Sequence, residues 1–110
     1  MKYNIVFTDD FSRQFKELKK KYASASADLA TLLAELQENP QAGESLGRNC
    51  YKVRVRIKAK NTGKRGGARA ITCVKLVDDA IFLLAIYDKA DRETISDKEI
   101  DAVLASAGIK

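Results

Sequence analysis

The sequence predicts a small α+β fold in the order β-α-α-β-β-β-α, one domain over residues 1–110. Three observations predict it. Two stretches near the N-terminus carry apolar residues at helical spacing and end at Asn39-Pro40. Residues 51–58 alternate strictly between apolar and cationic side chains. Residues 80–87 are all apolar or aromatic, a run too short to cross a bilayer and suited to the middle of a sheet. At 45 % hydrophobic and 32 % charged residues the composition is that of a globular chain.

Each element has a local reason. Tyr3, Ile5 and Phe7 alternate with polar neighbours and predict a short strand. Thr8, Asp9 and Asp10 suit a helix start, where short polar side chains accept from free amides and negative charge meets the helix dipole. Phe11, Phe15, Leu18 and Tyr22 then form one stripe, and Lys19-Lys20-Lys21 suits the helix C-terminus. Residues 23–27 read as a turn. Leu29, Leu32, Leu33 and Leu36 mark a second helix, stopped at Asn39-Pro40 because the residue before proline avoids helical backbone angles. Two helices joined this tightly pack as an antiparallel hairpin. Residues 41–47 read as a loop.

Strands are expected over residues 51–58, 68–77 and 80–87, close enough for an antiparallel meander. Ser96 and Glu99 form a capping box, Ile95 and Ile100 a hydrophobic staple. They open a last helix whose stripe is Ile100, Val103, Leu104 and Ala107, closed by Gly108. The helices are expected to cover one face of the sheet and to leave a cationic face open.

That face belongs to a basic block. Residues 48–69 hold nine of the chain's 20 Lys and Arg and no acid, while the other 88 residues hold 11 basic and 15 acidic side chains. Along the strand, Lys52, Arg54, Arg56 and Lys58 recur about 6.8 Å apart; Lys60 follows, and Lys64 and Arg65 lie in the Gly-rich segment 61–67. Without interleaved acids the row reads as a cradle for RNA or DNA phosphates, with a solvated strand face as the bland alternative. The absence of histidine excludes Ser-His-Asp and Cys-His nucleophilic sites and His-ligated metals. Cys50 and Cys73 form no CxxC pair, which speaks against structural zinc. They read as buried free thiols in a reducing compartment, with a disulfide between neighbouring strands as the alternative. Ile5-Val6-Phe7 is too short for a signal-peptide core, so a cytoplasmic protein is expected.

The strand, the helical hairpin with its Asn-Pro stop and the Cys50-Tyr51-Lys52-Val53-Arg54-Val55-Arg56 strand resemble the RelE/ParE superfamily of toxins from toxin–antitoxin modules. The run Gly63-Lys64-Arg65-Gly66-Gly67-Ala68-Arg69, with the later Ile86-Tyr87-Asp88-Lys89, is similar to its HigB-like branch. The resemblance implies a RelE-like fold, a small antiparallel sheet with a helical hairpin on one face and a C-terminal helix. It implies a ribosome-dependent mRNA endoribonuclease that needs no metal or other cofactor, in which the ribose 2′-oxygen attacks the adjacent phosphate. On the same grounds Lys52, Arg54, Arg69, Tyr87 and Lys89 are candidate catalytic residues. Arg56, Lys58, Lys60, Lys64, Arg65 and Arg92 are candidate RNA contacts. The implied partners are a cognate antitoxin, the ribosome and mRNA, with operator DNA met only through the antitoxin complex and no membrane. The aromatic pair that many relatives carry in the second strand is Thr72-Cys73 here, and Ala90 follows Lys89 where many have arginine. A ParE-like gyrase inhibitor and a non-catalytic antitoxin or RNA binder are the alternatives.

Overall fold

A computed structural model describes residues 2–61, 66–92 and 94–109. Its elements are β1 (Asn4–Phe7), α1 (Asp9–Lys21), α2 (Ala25–Glu38), β2 (Glu44–Gly47), β3 (Cys50–Val55), β4 (Ala68–Lys75), β5 (Ala80–Asp88) and α3 (Asp97–Ser106). Single 3-10 turns at Lys58–Lys60 and Leu76–Asp78 follow β3 and β4.

The mixed α+β fold is as expected. The five strands lie in the order β1-β5-β4-β3-β2, with β3, β4 and β5 an antiparallel meander. The helix ends form as their residues dictate. Thr8 Oγ1 accepts from the Phe11 amide at 3.2 Å. Ser96 Oγ accepts from the Glu99 amide at 3.1 Å while Glu99 Oε1 accepts from the Ser96 amide at 3.2 Å. Gly108, just past α3, has φ 74°.

Four expectations are corrected. First, β1 pairs with β5 in parallel, so the sheet is mixed. Second, residues 44–47 form a strand. The two-residue turn Arg48-Asn49 that joins it to β3 has φ of 56° and 62°, the positive values of a tight hairpin. Arginine is an uncommon choice there, so the turn has no sequence signature. Third, α2 begins at Ala25, two residues before the end of the expected turn. Fourth, the helices do not share one face.

Along β3 the alternation sends Val53 and Val55, with Ile57 beyond the strand, onto the hairpin helices, where they meet Phe11, Leu18, Leu32 and Leu36. The opposite face is dry at one end. There Cys50, Ile71, Cys73, Leu84 and Ala85 pack with Ile95 and with Ile100 and Leu104 of α3. Burying each such aliphatic side chain contributes about 1.5–3 kcal/mol, which is what holds α3 on this face.

A bulge in β5 sets which side chains reach which face. Ile71 pairs with Ala85, but Thr72 pairs with Leu83, leaving Leu84 as an extra residue. Ile81 and Leu83 therefore face the hairpin helices, Leu84 and Ala85 both face α3, and Ile86 returns to the hairpin side. Tyr87 then stands on the α3 face and Asp88 on the hairpin face. Without the extra residue the two would exchange faces.

Candidate functional site

On the uncovered part of the α3 face, Arg54 of β3, Arg69 of β4 and Tyr87 of β5 stand side by side in register. Two residues along β3, Lys52 occupies the same face. Lys52, Arg54, Arg69 and Lys89 line one open hollow of about 590 Å³, together with Glu35 of α2, Gly43 and Glu44 of β2. Four of the five candidate catalytic residues therefore converge on one cavity, and the fifth borders Arg69.

Each is held differently. Arg69 is only 5 % exposed, and its guanidinium donates to the Ala68 carbonyl at 3.1 Å. A buried guanidinium has little freedom to reorient, so its charge is preorganised. Lys52 Nζ lies 3.4 Å from a Glu44 carboxylate oxygen across the β2–β3 pair. The Lys89 amide donates to the Gly67 carbonyl at 3.1 Å, tying the end of β5 to the start of β4. Burial pushes the Tyr87 phenol above its ordinary value, opposed by the charges of Arg92 and Arg69. Tyr87 is thus a proton-bearing donor at neutral pH. Arg92 sits over its ring, 5.2 Å from the centroid, and also pairs with Glu99 at 2.6 Å.

Gly43 lines the hollow, and Gly67 lies where β4 begins. A Cβ on Gly43, whose φ is 97°, would lie 2.4 Å from the Lys52 carbonyl oxygen. A Cβ on Gly67 would lie 2.1 Å from the Val55 carbonyl oxygen. Gly67 is therefore needed where β4 starts against β3.

The candidate RNA contacts divide. Arg56 and Lys58 are exposed and line a second hollow of about 240 Å³ with Asp28, Thr31, Glu35 and Arg54. Arg54 and Glu35 border both hollows, which lie next to each other along β3. Lys60 is a correction to the expected row. The strand ends at Val55 and the chain turns, so Lys60 Nζ points back to Asp88 Oδ1 at 2.7 Å and to the Gly67 carbonyl at 3.3 Å. Lys64 and Arg65 lie outside the described residues. Thr72 and Cys73, the pair the resemblance singled out, are buried and are no part of the exposed surface.

Sequence reasoning missed three acidic residues. Glu35 and Glu44 enter the cavity from α2 and β2, and nothing in their spacing marks them. Asp88 is 3 % exposed and accepts from Lys60, from Lys21 at 3.0 Å, from Tyr22 Oη at 2.6 Å and from the Ala90 amide at 2.9 Å. Burial alone would raise its carboxyl. The bonds from Lys60, Tyr22, Ala90 and Lys21 outweigh that and hold it far below the ordinary carboxylate range. Among the described residues no cluster of three His, Cys, Asp or Glu could hold a metal ion. No described helix is long and apolar enough to cross a membrane.

Comparison with known proteins places this geometry. The family model of the RelE toxin of the RelE/RelB toxin–antitoxin system matches residues 6–109. The chain belongs to the RelE toxin family. Solved structures share the fold. The chain is similar to a double-arginine mutant of E. coli toxin RelE in the free state, at 22 % identity and TM-score 0.57, covering 98 % of this chain and 96 % of that one. It is similar to the toxin–antitoxin complex RelBE2 of Mycobacterium tuberculosis, at 19 % identity and TM-score 0.62, covering 83 % and 95 %. It is also similar to the intact E. coli RelBE complex, at 20 % identity and TM-score 0.59, covering 78 % and 95 %. No curated protein matches the chain in sequence. This RelE-family toxin thus carries its basic cavity on a fold shared with proteins solved both free and bound to antitoxin.

Proposed function

We propose that this RelE-family toxin is a ribosome-dependent, metal-independent mRNA endoribonuclease that arrests translation until a cognate antitoxin covers it. The observation that carries the reading is the convergence of Lys52, Arg54, Arg69 and Lys89 on one open cavity, with Tyr87 in register beside Arg69. The RNA 2′-oxygen attacks the adjacent phosphorus, the P–O5′ bond breaks, and a 2′,3′-cyclic phosphate and a 5′-hydroxyl result. Charge builds on the phosphoryl oxygens in the transition state. Arg69, fixed by burial, and Arg54 beside it are the preorganised cations for that charge. Lys52 and Lys89 lie at the cavity wall as further cations for the phosphate, and the 2′-proton passes to solvent. Tyr87 keeps its proton and donates it toward the leaving oxygen or a phosphoryl oxygen. Arg56 and Lys58 extend the groove along the RNA backbone. The Tyr87-Asp88-Lys89 ending of β5 and the Gly-rich run before Arg69 favour the HigB-like branch.

The test is to induce the chain in cells and map cuts in translated messages, beside Arg69→Ala and the Lys52→Ala/Arg54→Ala double variant. Growth arrest with cleavage, both lost in the variants, supports this reading. Arrest without cleavage, untouched by the variants, replaces it with a ParE-like inhibition of gyrase.

A further inference from the structure

Cys50 and Cys73 face each other in the β3–β4 ladder. At the next pair, Val74 donates its amide to the Asn49 carbonyl at 2.9 Å. Hydrogen-bonded and non-hydrogen-bonded pairs alternate along an antiparallel ladder. The two cysteines therefore occupy the closer kind, with Cα atoms about 4.5 Å apart. Disulfides span Cα separations of roughly 4.4–6.8 Å. Both thiols are free and buried. Their sulfurs lie 3.6 and 4.0 Å from one acceptor, the Arg48 carbonyl oxygen.

The pair is asymmetric. The neighbouring Cys73 sulfur, together with burial, pushes the Cys50 thiol up. The neighbouring Cys50 draws the Cys73 thiol down against burial, helped by Lys75. The readier thiolate thus stands beside a thiol that keeps its proton, which separates the attacking sulfur from the resolving one.

We infer that Cys50 and Cys73 are a redox modification site, closing reversibly into a cross-strand disulfide that ties off the segment bearing the basic cavity. The loop so closed, about 24 residues, contains Lys52, Arg54 and Arg69. The oxidant is a low-molecular-weight disulfide. The Cys73 thiolate attacks one of its sulfurs, the external S–S bond breaks, and one small thiolate leaves. Cys50 then gives its proton to solvent and attacks the Cys73 sulfur, releasing the second small thiolate. Two cysteine thiols lose two electrons and the external disulfide gains them. Both sulfurs are buried beneath the face that α3 covers. Beyond its apolar contacts, α3 is tied to this end of the sheet by surface ion pairs from Arg48 to Asp97 and Asp101. Transient lifting of α3 gives the oxidant its route.

The experiment uses the purified full chain and does not depend on how the toxin acts. The chain is incubated with glutathione disulfide, denatured, labelled with a maleimide and weighed intact. The expected product is a monomer two hydrogens lighter with no labelled thiol, restored to two by dithiothreitol. Its thermal midpoint is expected about 10 °C above that of the reduced chain, because a loop of this size is constrained when unfolded. The Cys50→Ala variant is expected to stop as a glutathione adduct on Cys73. Two labelled thiols after oxidation, stable adducts in the unsubstituted chain, or disulfide-linked dimers would each overturn the site. An unchanged midpoint would overturn the tying-off, and a Cys73→Ala variant that forms the adduct faster than Cys50→Ala would overturn the order of attack.

Discussion

Tyr87 and Asp88 are adjacent in the chain and stand on opposite faces of the sheet, each among cations, with opposite consequences. Around Asp88, Lys60 and Lys21 close on a buried carboxylate, and Tyr22 and the Ala90 amide complete its hydrogen bonding. That cluster ties the end of α1, the turn after β3 and the end of β5 together. Around Tyr87, the cations of the cavity outnumber the two carboxylates, Glu35 and Glu44, that border it. Here Lys52 pairs with Glu44 at the rim, and the cations together leave the cavity with an excess of positive charge. The block of residues 48–69 supplies Lys60 to the first cluster and Lys52, Arg54 and Arg69 to the second. Whether a cation stabilises the fold or serves the site depends on where its counter-charge is buried.

The strongest way to break this contrast is Asp88→Asn. Removing one partner of a buried ionic cluster costs about 3–5 kcal/mol, so urea unfolding should move by that amount. A loss below about 1 kcal/mol, the range of surface pairs, would mean that Asp88 anchors nothing. On the other face, Lys52→Ala/Arg54→Ala should lower single-turnover cleavage on programmed ribosomes by about 10²–10³-fold, or roughly 2.7–4 kcal/mol of transition-state stabilisation. Its unfolding midpoint should stay close to that of the unsubstituted chain. Equal losses of stability and activity would erase the distinction between the clusters.

Acid sharpens the comparison. Asp88 is held below its unfolded value of about 3.9. Its contribution is complete above that pH and is lost as pH falls, because the unfolded chain then binds the proton more readily. The unfolding midpoint of the unsubstituted chain should fall more steeply between about pH 5 and 2 than that of Asp88→Asn. Parallel curves would contradict the assignment. A smaller effect is expected from Tyr87→Phe, a roughly 10²-fold loss of cleavage with little change in melting, since only the hydroxyl is removed. Smallest is the salt dependence of RNA binding. Arg54→Ala should reduce the slope of log affinity against log salt by about 0.7, and Lys60→Met should leave it unchanged. A matching drop for Lys60→Met would place that lysine on the RNA.

Much of this was legible. The caps at Thr8 and Ser96 act between residues three apart, so sequence proximity brings the partners together. The alternation across residues 51–58 assigned Val53, Val55 and Ile57 to the core and Lys52 and Arg54 to the other face, because side chains alternate along an extended backbone. The family motif pointed to Arg69, Tyr87 and Lys89. Less legible was Lys60. It was a candidate RNA contact two residues beyond the alternating block, but the strand had already ended five residues before it and the chain turns its Nζ onto Asp88. The β2 strand was hidden by a turn built on Arg48 and Asn49, where the sequence offers none of the usual glycine signal.

What the sequence by itself determined is the local grammar: which segments are helices, which residues share a face, and where the basic charge is concentrated. These follow from backbone periodicity and from bonds between near neighbours. Tertiary structure decided which face each set would meet. The parallel pairing of β1 with β5, the placement of α3 opposite the hairpin helices, and the capture of Lys60 by Asp88 all join residues far apart in the chain. The bulge at Leu84 is the clearest case. One extra residue against β4 turns Tyr87 toward Arg69 and Asp88 toward Lys60. An unbroken apolar run carries no period from which such a shift could be read, and only packing both faces of β5 at once selects it.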